Sequence, residues 1–202
     1  CTRCSIEGAV AIHDEIQLIN VPIPDPPKHH DLNLHDLLPL HWGWSMVSGE
    51  DNLKGLCEHD AQQLRRTSAP AQDEWPENLI IRLLRFENVA DSVVFKKKNE
   101  IVHYSVSDVT IPGGVKYFVR TVVCHVGDAT TAGHYYAMSR ETDAADSPWY
   151  RLDDDRMNKI GDVTELVTSD AYLLFLEKKI FGDASKELEG EDDTKAREAK
   201  SS

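Results

Sequence analysis

Positive charge is scarce in this chain: 22 lysines and arginines stand against 35 aspartates and glutamates, giving a formal net charge of −13 at pH 7. Phosphate backbones are gripped by clustered Lys and Arg, so this balance argues against a nucleic-acid partner. A basic polypeptide surface is the complement it favours. Long hydrophobic runs are missing too. No window approaches the roughly 20 consecutive apolar residues of a membrane span, so no membrane partner is expected. No secretory signal is visible, and the expected compartment is intracellular, cytoplasmic or nuclear. The glycines form no phosphate-cradling motif, and no internal repeat is present. Cysteine is confined to Cys1, Cys4, Cys57 and Cys124. Cys124 lies in an apolar run, where a small buried thiol of raised pKa is expected.

What remains is enough for one domain with a real core, divided into two lobes: 202 residues, 41% of them hydrophobic. Glu15 to Val21 reads as a strand ending at Pro22 and the Pro24, Pro26, Pro27 cluster. Leu34, Leu37 and Leu38 have the spacing of a short helix with one buried face, with Asp31 or Asn33 as N-cap and Pro39 near its stop. Leu79 to Phe86 reads as a buried strand with Arg82 and Arg85 facing out or paired. A Lys96-Lys97-Lys98 turn should lead into a strand from Ile101 to Val106, and Gly113-Gly114 should turn the chain into Tyr117 to His125. With Tyr172 to Leu176, these runs imply an antiparallel sheet built mainly after residue 78. The charged tail, residues 182–202, carries too little apolar surface to order itself.

The most informative stretch is Gly133-His134-Tyr135-Tyr136-Ala137, followed after an acidic loop by Trp149-Tyr150-Arg151-Leu152-Asp153-Asp154. Two aromatic, apolar runs around a turn-rich segment predict an antiparallel hairpin. Pairing His134 with Asp153 centres the turn between Asp143 and Ala144. Directly opposed residues bring Cβ atoms about 4.5–5.5 Å apart, close enough for a carboxylate to accept an imidazole N–H and fix its tautomer. A His oriented by an acid is the base half of a Ser or Cys triad. The structural alternative is a His and an Asp that merely flank a turn. No nucleophile for this pair is evident in the sequence.

Taken with their surroundings, these residues resemble the histidine box of the ubiquitin-specific proteases, the papain-like deubiquitinases. The resemblance runs in order from Cys1 to Leu176. Leu18 to Ile23 and the Leu34 to Leu38 turn are similar to the segment following a Cys-x-x-Cys in the family's fingers. Pro76 to Phe86 is similar to the segment that re-enters the palm, Val122 to Asp128 to the strand before the catalytic His, and Ala171 to Phe175 to the closing core strand. The resemblance implies an α+β fold, the C-terminal half of a papain-like cysteine protease. Residues 1–75 would form a fingers-like lobe, residues 76–181 an antiparallel palm sheet, and residues 182–202 an acidic tail.

By the same resemblance, His134 is the general base, Asp153 holds its imidazole, and Asp154 is a second acid. Gly127, Gly133 and Tyr135 would line the cleft for ubiquitin's C-terminal tail, with Gly127 and Gly133 bounding a flexible loop. The family's nucleophilic cysteine box has no counterpart here. The implied activity, hydrolysis of the amide after ubiquitin's last glycine, would therefore need a cysteine supplied from outside this chain. The implied partners are ubiquitin, ubiquitinated proteins and the N-terminal half of the catalytic domain. The alternative is an inactive ubiquitin-binding module. No catalytic cofactor is implied. Cys1, Cys4, Cys57 and His59 are candidate ligands for a structural zinc, although His59 and Asp60 stand where many members carry a second Cys-x-x-Cys. Trp42, Trp44 and Trp75 are expected to pack the lobe.

Overall fold

A computed structural model describes residues 17–25, 31–47, 63–67, 69–88, 95–129, 132–142, 144 and 146–179. The candidate zinc ligands Cys1, Cys4, Cys57 and His59, and the acidic tail, lie outside the described residues. The chain runs through β1 (Leu18–Pro22), β2 (Leu32–Asn33), the one-turn helix α1 (Leu34–Leu37), a 3-10 turn at Leu38–His41, β3 (Gly43–Val47), β4 (Gln63–Thr67), β5 (Asn78–Leu84) and β6 (Phe86–Asn88). It continues through β7 (Phe95–Lys97), β8 (Val102–His103), β9 (Val109–Thr110), β10 (Lys116–Ala129), β11 (Ala132–Arg140), β12 (Trp149–Asp153), β13 (Arg156–Lys159) and β14 (Ala171–Lys178).

The main sheet runs in the order β1-β5-β14-β10-β11-β12-β13, with β9 added on β10. Every pairing in it is antiparallel except β1 on β5. The fold is α+β with a mostly antiparallel sheet, as the resemblance implied. The sheet draws on both halves of the sequence. β1, from the segment assigned to the fingers, pairs with β5, from the segment assigned to the palm.

Alternation along the strands sends Ile19, Val21, Leu79, Ile81, Leu83, Val122, Cys124 and Leu174 to one buried face. Leu34, Leu37, Leu38, Trp75, Ile111 and Leu166 join the same core. Helix α1 begins at Asn33 without a side-chain cap, because the Asn33 amide instead donates to the Asp31 carbonyl. Pro39 does not end the helical path but enters the 3-10 turn, where its missing N–H costs nothing. Trp75 is buried and meets Trp42 edge-to-face at 5.9 Å, in line with a packing role. Gly113 and Gly114 take positive φ of 92° and 79° in the β9–β10 turn, where a side chain would be strained.

Three expectations are corrected. The Lys96-Lys97-Lys98 run is not a turn, since Lys97 closes β7 with 5% exposure. Its ammonium donates to the His125 carbonyl and pairs with Asp170 at 2.8 Å, while Lys98 pairs with Glu87 at 2.9 Å and donates to the Ile23 carbonyl at 2.7 Å. The run from Ile101 to Val106 contributes only β8, which pairs in parallel with β2 outside the main sheet. Arg85 does not face out and is fully buried. Its Nε and Nη1 donate to backbone carbonyls, which offsets part of the cost of burying the cation, while Nη2 is buried without a hydrogen-bond partner.

Candidate active site

The site sits at the end of β11 and β12. Their register pairs Ala137 with Leu152, Met138 with Arg151 and Arg140 with Trp149. Extending it sets Tyr136, not His134, opposite Asp153, so the direct His134–Asp153 pairing expected from sequence is displaced by two residues. The connection explains the displacement. Ser147 Oγ accepts from the Thr142 N–H at 2.9 Å and the Ser147 N–H donates to the Ala144 carbonyl at 3.0 Å, a closure that moves the turn one residue along. A shift of two keeps both side chains on one face, and His134 becomes a diagonal neighbour of Asp153 within side-chain reach.

The diagonal contact is short and direct. His134 Nε2 lies 2.5 Å from Asp153 Oδ1. An ionised carboxylate only accepts, so Nε2 carries the proton and Nδ1 is left to exchange one with a reacting group. The hydrogen bond to Asp153 raises the pKa of His134 above its ordinary value, and the same bond, with Arg151, depresses that of Asp153. Arg151 donates to the other oxygen, Oδ2, through Nε at 3.2 Å and Nη2 at 2.8 Å. Asp154 follows in the β12–β13 turn with φ of 53°, a conformation Asp tolerates, and its charge adds to the upward shift of His134.

His134, Asp153 and Asp154 each offer a ligand atom within 4.8 Å of the others, a group able to hold a metal ion. The Arg151 guanidinium already occupies Asp153 Oδ2, and its charge opposes a cation there. The arrangement suits proton transfer at His134 better than metal binding.

Gly127 and Gly133 do not bound a loop. β10 and β11 run past both, with Val126 paired to His134 and Ala129 to Ala132 around an irregularity in the ladder. Gly127 has φ of 121°, and a Cβ there would stand 3.0 Å from the Ala132 carbonyl oxygen. A Cβ on Gly133 would overlap the His125 ring and stand 2.7 Å from the Val126 carbonyl oxygen. The pair therefore permits close strand approach. His125 is buried and lies 4.7 Å, ring to ring, from Tyr135, which is 55% exposed beside His134. Gly133→Ala is expected to push this ring and strand apart, at about 1–3 kcal/mol of stability. A melting curve on the variant measures the loss, and an unchanged melt would refute the packing account.

Cys124 meets its expectation as a core residue. Its thiol is fully buried, and burial pushes its pKa up to about 11. Sequence reasoning missed Arg151, although its position two residues before Asp153 on a strand was enough to place both on one face. It also missed Lys97 and Asp170, whose pairing depends on tertiary structure.

The family model described as ubiquitin carboxyl-terminal hydrolase matches residues 58–176, which include both His134 and Asp153. The chain belongs to that family. Ubiquitin carboxyl-terminal hydrolase 4 of Saccharomyces cerevisiae is 22% identical to it over 195 residues, covering 87% of this chain and 20% of the yeast protein. For Usp2 of Drosophila melanogaster the figures are 24% over 187 residues, 88% and 18%. A human protein named inactive ubiquitin carboxyl-terminal hydrolase 17-like protein 7 is 28% identical over 130 residues, 62% of this chain and 23% of its own length. The chain thus spans about a fifth of the length of such relatives. A chain in a structure of the Ubp8-Sgf11-Sgf73-Sus1 SAGA DUB module shares its fold, with TM-score 0.61 at 19% identity over 89% of this chain and 37% of that one. The papain-like fold inferred from sequence is the fold observed.

Proposed function

We propose that this chain carries the base half of a thiol-dependent deubiquitinase that hydrolyses the amide bond after the C-terminal glycine of ubiquitin. The observation that carries the reading is the His134–Asp153 hydrogen bond, which commits Nε2 to the carboxylate and leaves Nδ1 to the substrate side. A cysteine from polypeptide outside this chain is the nucleophile. His134 takes the thiol proton, the thiolate attacks the carbonyl carbon, and the imidazolium returns the proton to the leaving amine as an acyl-enzyme forms. His134 then draws a proton from water, which hydrolyses that acyl-enzyme and frees ubiquitin. Asp153 orients and stabilises the imidazolium throughout, and Asp154 adds negative charge beside it.

Gly127, Gly133 and Tyr135 border the path of the ubiquitin tail, where strands without side chains let an extended glycine-rich peptide pass close to the backbone. The partners are ubiquitin, ubiquitinated proteins and the complementary half of the catalytic domain. The excess of acidic groups complements a basic ubiquitin face and speeds encounter. No cofactor takes part in the chemistry, a zinc on Cys1, Cys4, Cys57 and His59 would be structural, and the setting is cytoplasmic or nuclear. One observation favours a second reading, an inactive ubiquitin-binding module: Cys124, the one cysteine among the described residues, is a buried thiol of raised pKa.

The two readings separate on a fluorogenic ubiquitin C-terminal amide mixed with this chain joined to the polypeptide that supplies the nucleophile. Fluorophore release that a thiol-alkylating reagent abolishes supports the hydrolase. Ubiquitin binding without release supports the binding module, and neither response defeats both.

A further inference from the structure

Asp153 divides its two oxygens between two partners. Oδ1 accepts from His134 Nε2, and Oδ2 accepts both Nε and Nη2 of Arg151. Arg151 is itself braced, because its guanidinium carbon lies 3.7 Å from the centroid of the Tyr136 ring on the adjacent strand. Tyr136 is 8% exposed and stands directly opposite the buried Cys124 of β10 in the strand register. The relay therefore runs from the fixed core through Tyr136 and Arg151 to a carboxylate at the sheet's edge. That carboxylate needs such support. Asp153 ends β12 ahead of Asp154 and Asp155, whose like charges would turn a free side chain away. Charge-assisted bonds from a planar guanidinium fix both the position and the plane of the carboxylate, and stacking on an aromatic face limits the guanidinium in turn.

We propose that Arg151 is a positioning residue: by clamping Asp153 Oδ2 against the Tyr136 face, it aims Oδ1 at His134 Nε2 and so fixes the direction in which the imidazole presents Nδ1. This rests on the reading of His134 as the base. A bare positive charge and a positioning clamp at Arg151 leave opposite signatures. Arg151's charge lowers the pKa of His134, whereas the imidazole's hydrogen bond to Asp153, which the clamp holds, raises it more strongly. Among the described residues, the charged groups acting on His134 are Asp153, Asp154 and Arg151 from β12 and its turn, while its partner on β10, Val126, carries none. Removing a bare charge would make the imidazolium harder to deprotonate. Removing a clamp would release Asp153 and make it easier.

The test places Arg151→Gln and Arg151→Lys in the polypeptide that contains the nucleophile, beside His134→Ala, with fluorogenic ubiquitin amide as substrate. For Arg151→Gln, kcat is expected to fall about 10- to 100-fold, with KM changed less than about twofold. The alkaline limb of the pH profile, where the imidazolium loses its proton, should move to lower pH. Arg151→Lys, which keeps the charge without the fork, should recover part of both effects, and it remains readable if the Gln variant melts below the assay temperature. An alkaline limb moved to higher pH with kcat retained would overturn the proposal in favour of a bare charge. A rise in KM alone, equal in both variants, would overturn it in favour of a substrate contact. Parental activity in His134→Ala would instead overturn the base reading itself, whatever the Arg151 variants do.

Discussion

Replacing His134 by alanine in the catalytically complete polypeptide is expected to lower kcat by about 10³- to 10⁴-fold. Among the described residues, the imidazole of His134 is the base that the hydrogen bond to Asp153 orients. Asp153→Asn should cost less, about 10- to 100-fold, for a reason specific to this geometry. An amide oxygen can still accept the His134 Nε2 proton, yet the amide nitrogen would then face the two Arg151 donors that Oδ2 now receives. The side chain can satisfy one neighbour and must repel the other. Stopped-flow or steady-state hydrolysis of a ubiquitin amide ranks the two variants. An Asp153→Asn loss as large as that of His134→Ala would show that the carboxylate charge, rather than its aim, is what the reaction requires.

The pH dependence follows from the direction of each shift. His134 is raised above its ordinary value of 6.5, so its contribution to stability is complete below about 6.5 and is lost as pH rises through the raised value. Asp153 is depressed below its ordinary value of 3.8, so its contribution is present above about 3.8 and is lost as pH falls through the depressed value. Between 3.8 and 6.5 the ion pair is fully formed on both counts.

The parts of this arrangement legible in sequence were those set by local rules. Strand alternation put His134 and Asp153 on one face, the glycines after Pro112 marked a turn, and the spacing of Leu34, Leu37 and Leu38 marked a buried helical face. All three describe what neighbouring residues impose on one another. The hairpin register was not legible because it depends on how Ser147 and Thr142 close the connection, a choice invisible to a pattern of period two. The Gly127 to Gly133 stretch has the small, polar composition of a loop. Gly133 is there because the His125 ring fills the space its Cβ would take, and Gly127 because of its positive φ and the close Ala132 carbonyl; only the folded pairing reveals that. Lys97 has the composition of a turn and the environment of a core residue, because Asp170, far along the chain, supplies its countercharge.

Arg85 is the extreme case of the same limitation, and it carries the largest expected effect on stability. Arginine in an apolar strand reads as facing out or paired, yet here it is fully buried, with Nε donating to the Ala171 carbonyl at 2.5 Å and Nη1 to the carbonyls of Lys98 and Glu100 at 3.0 and 2.8 Å. Burial lowers its pKa, while the charge of Asp170 acts against that shift. The guanidinium thereby ties the end of β5 to the start of β14 and to the segment after β7. Asp170, next to Ala171, also binds Lys97 and accepts from the His125 N–H, so the same junction supports β10 beside the site. Arg85→Met keeps the volume and removes every donor, leaving three carbonyls to be satisfied in a closed space. Each unsatisfied group costs about 1–3 kcal/mol, and the loss of a desolvated charge offsets part of the sum. A net destabilisation of about 3–4 kcal/mol is therefore expected. Against a total of about 5–15 kcal/mol for an ordinary domain, that would leave little margin. Urea unfolding of the variant, with its slope compared to that of the parent, gives the number directly. A change below about 1 kcal/mol would mean that the Arg85 bonds merely recover its own burial cost and do not hold the junction together.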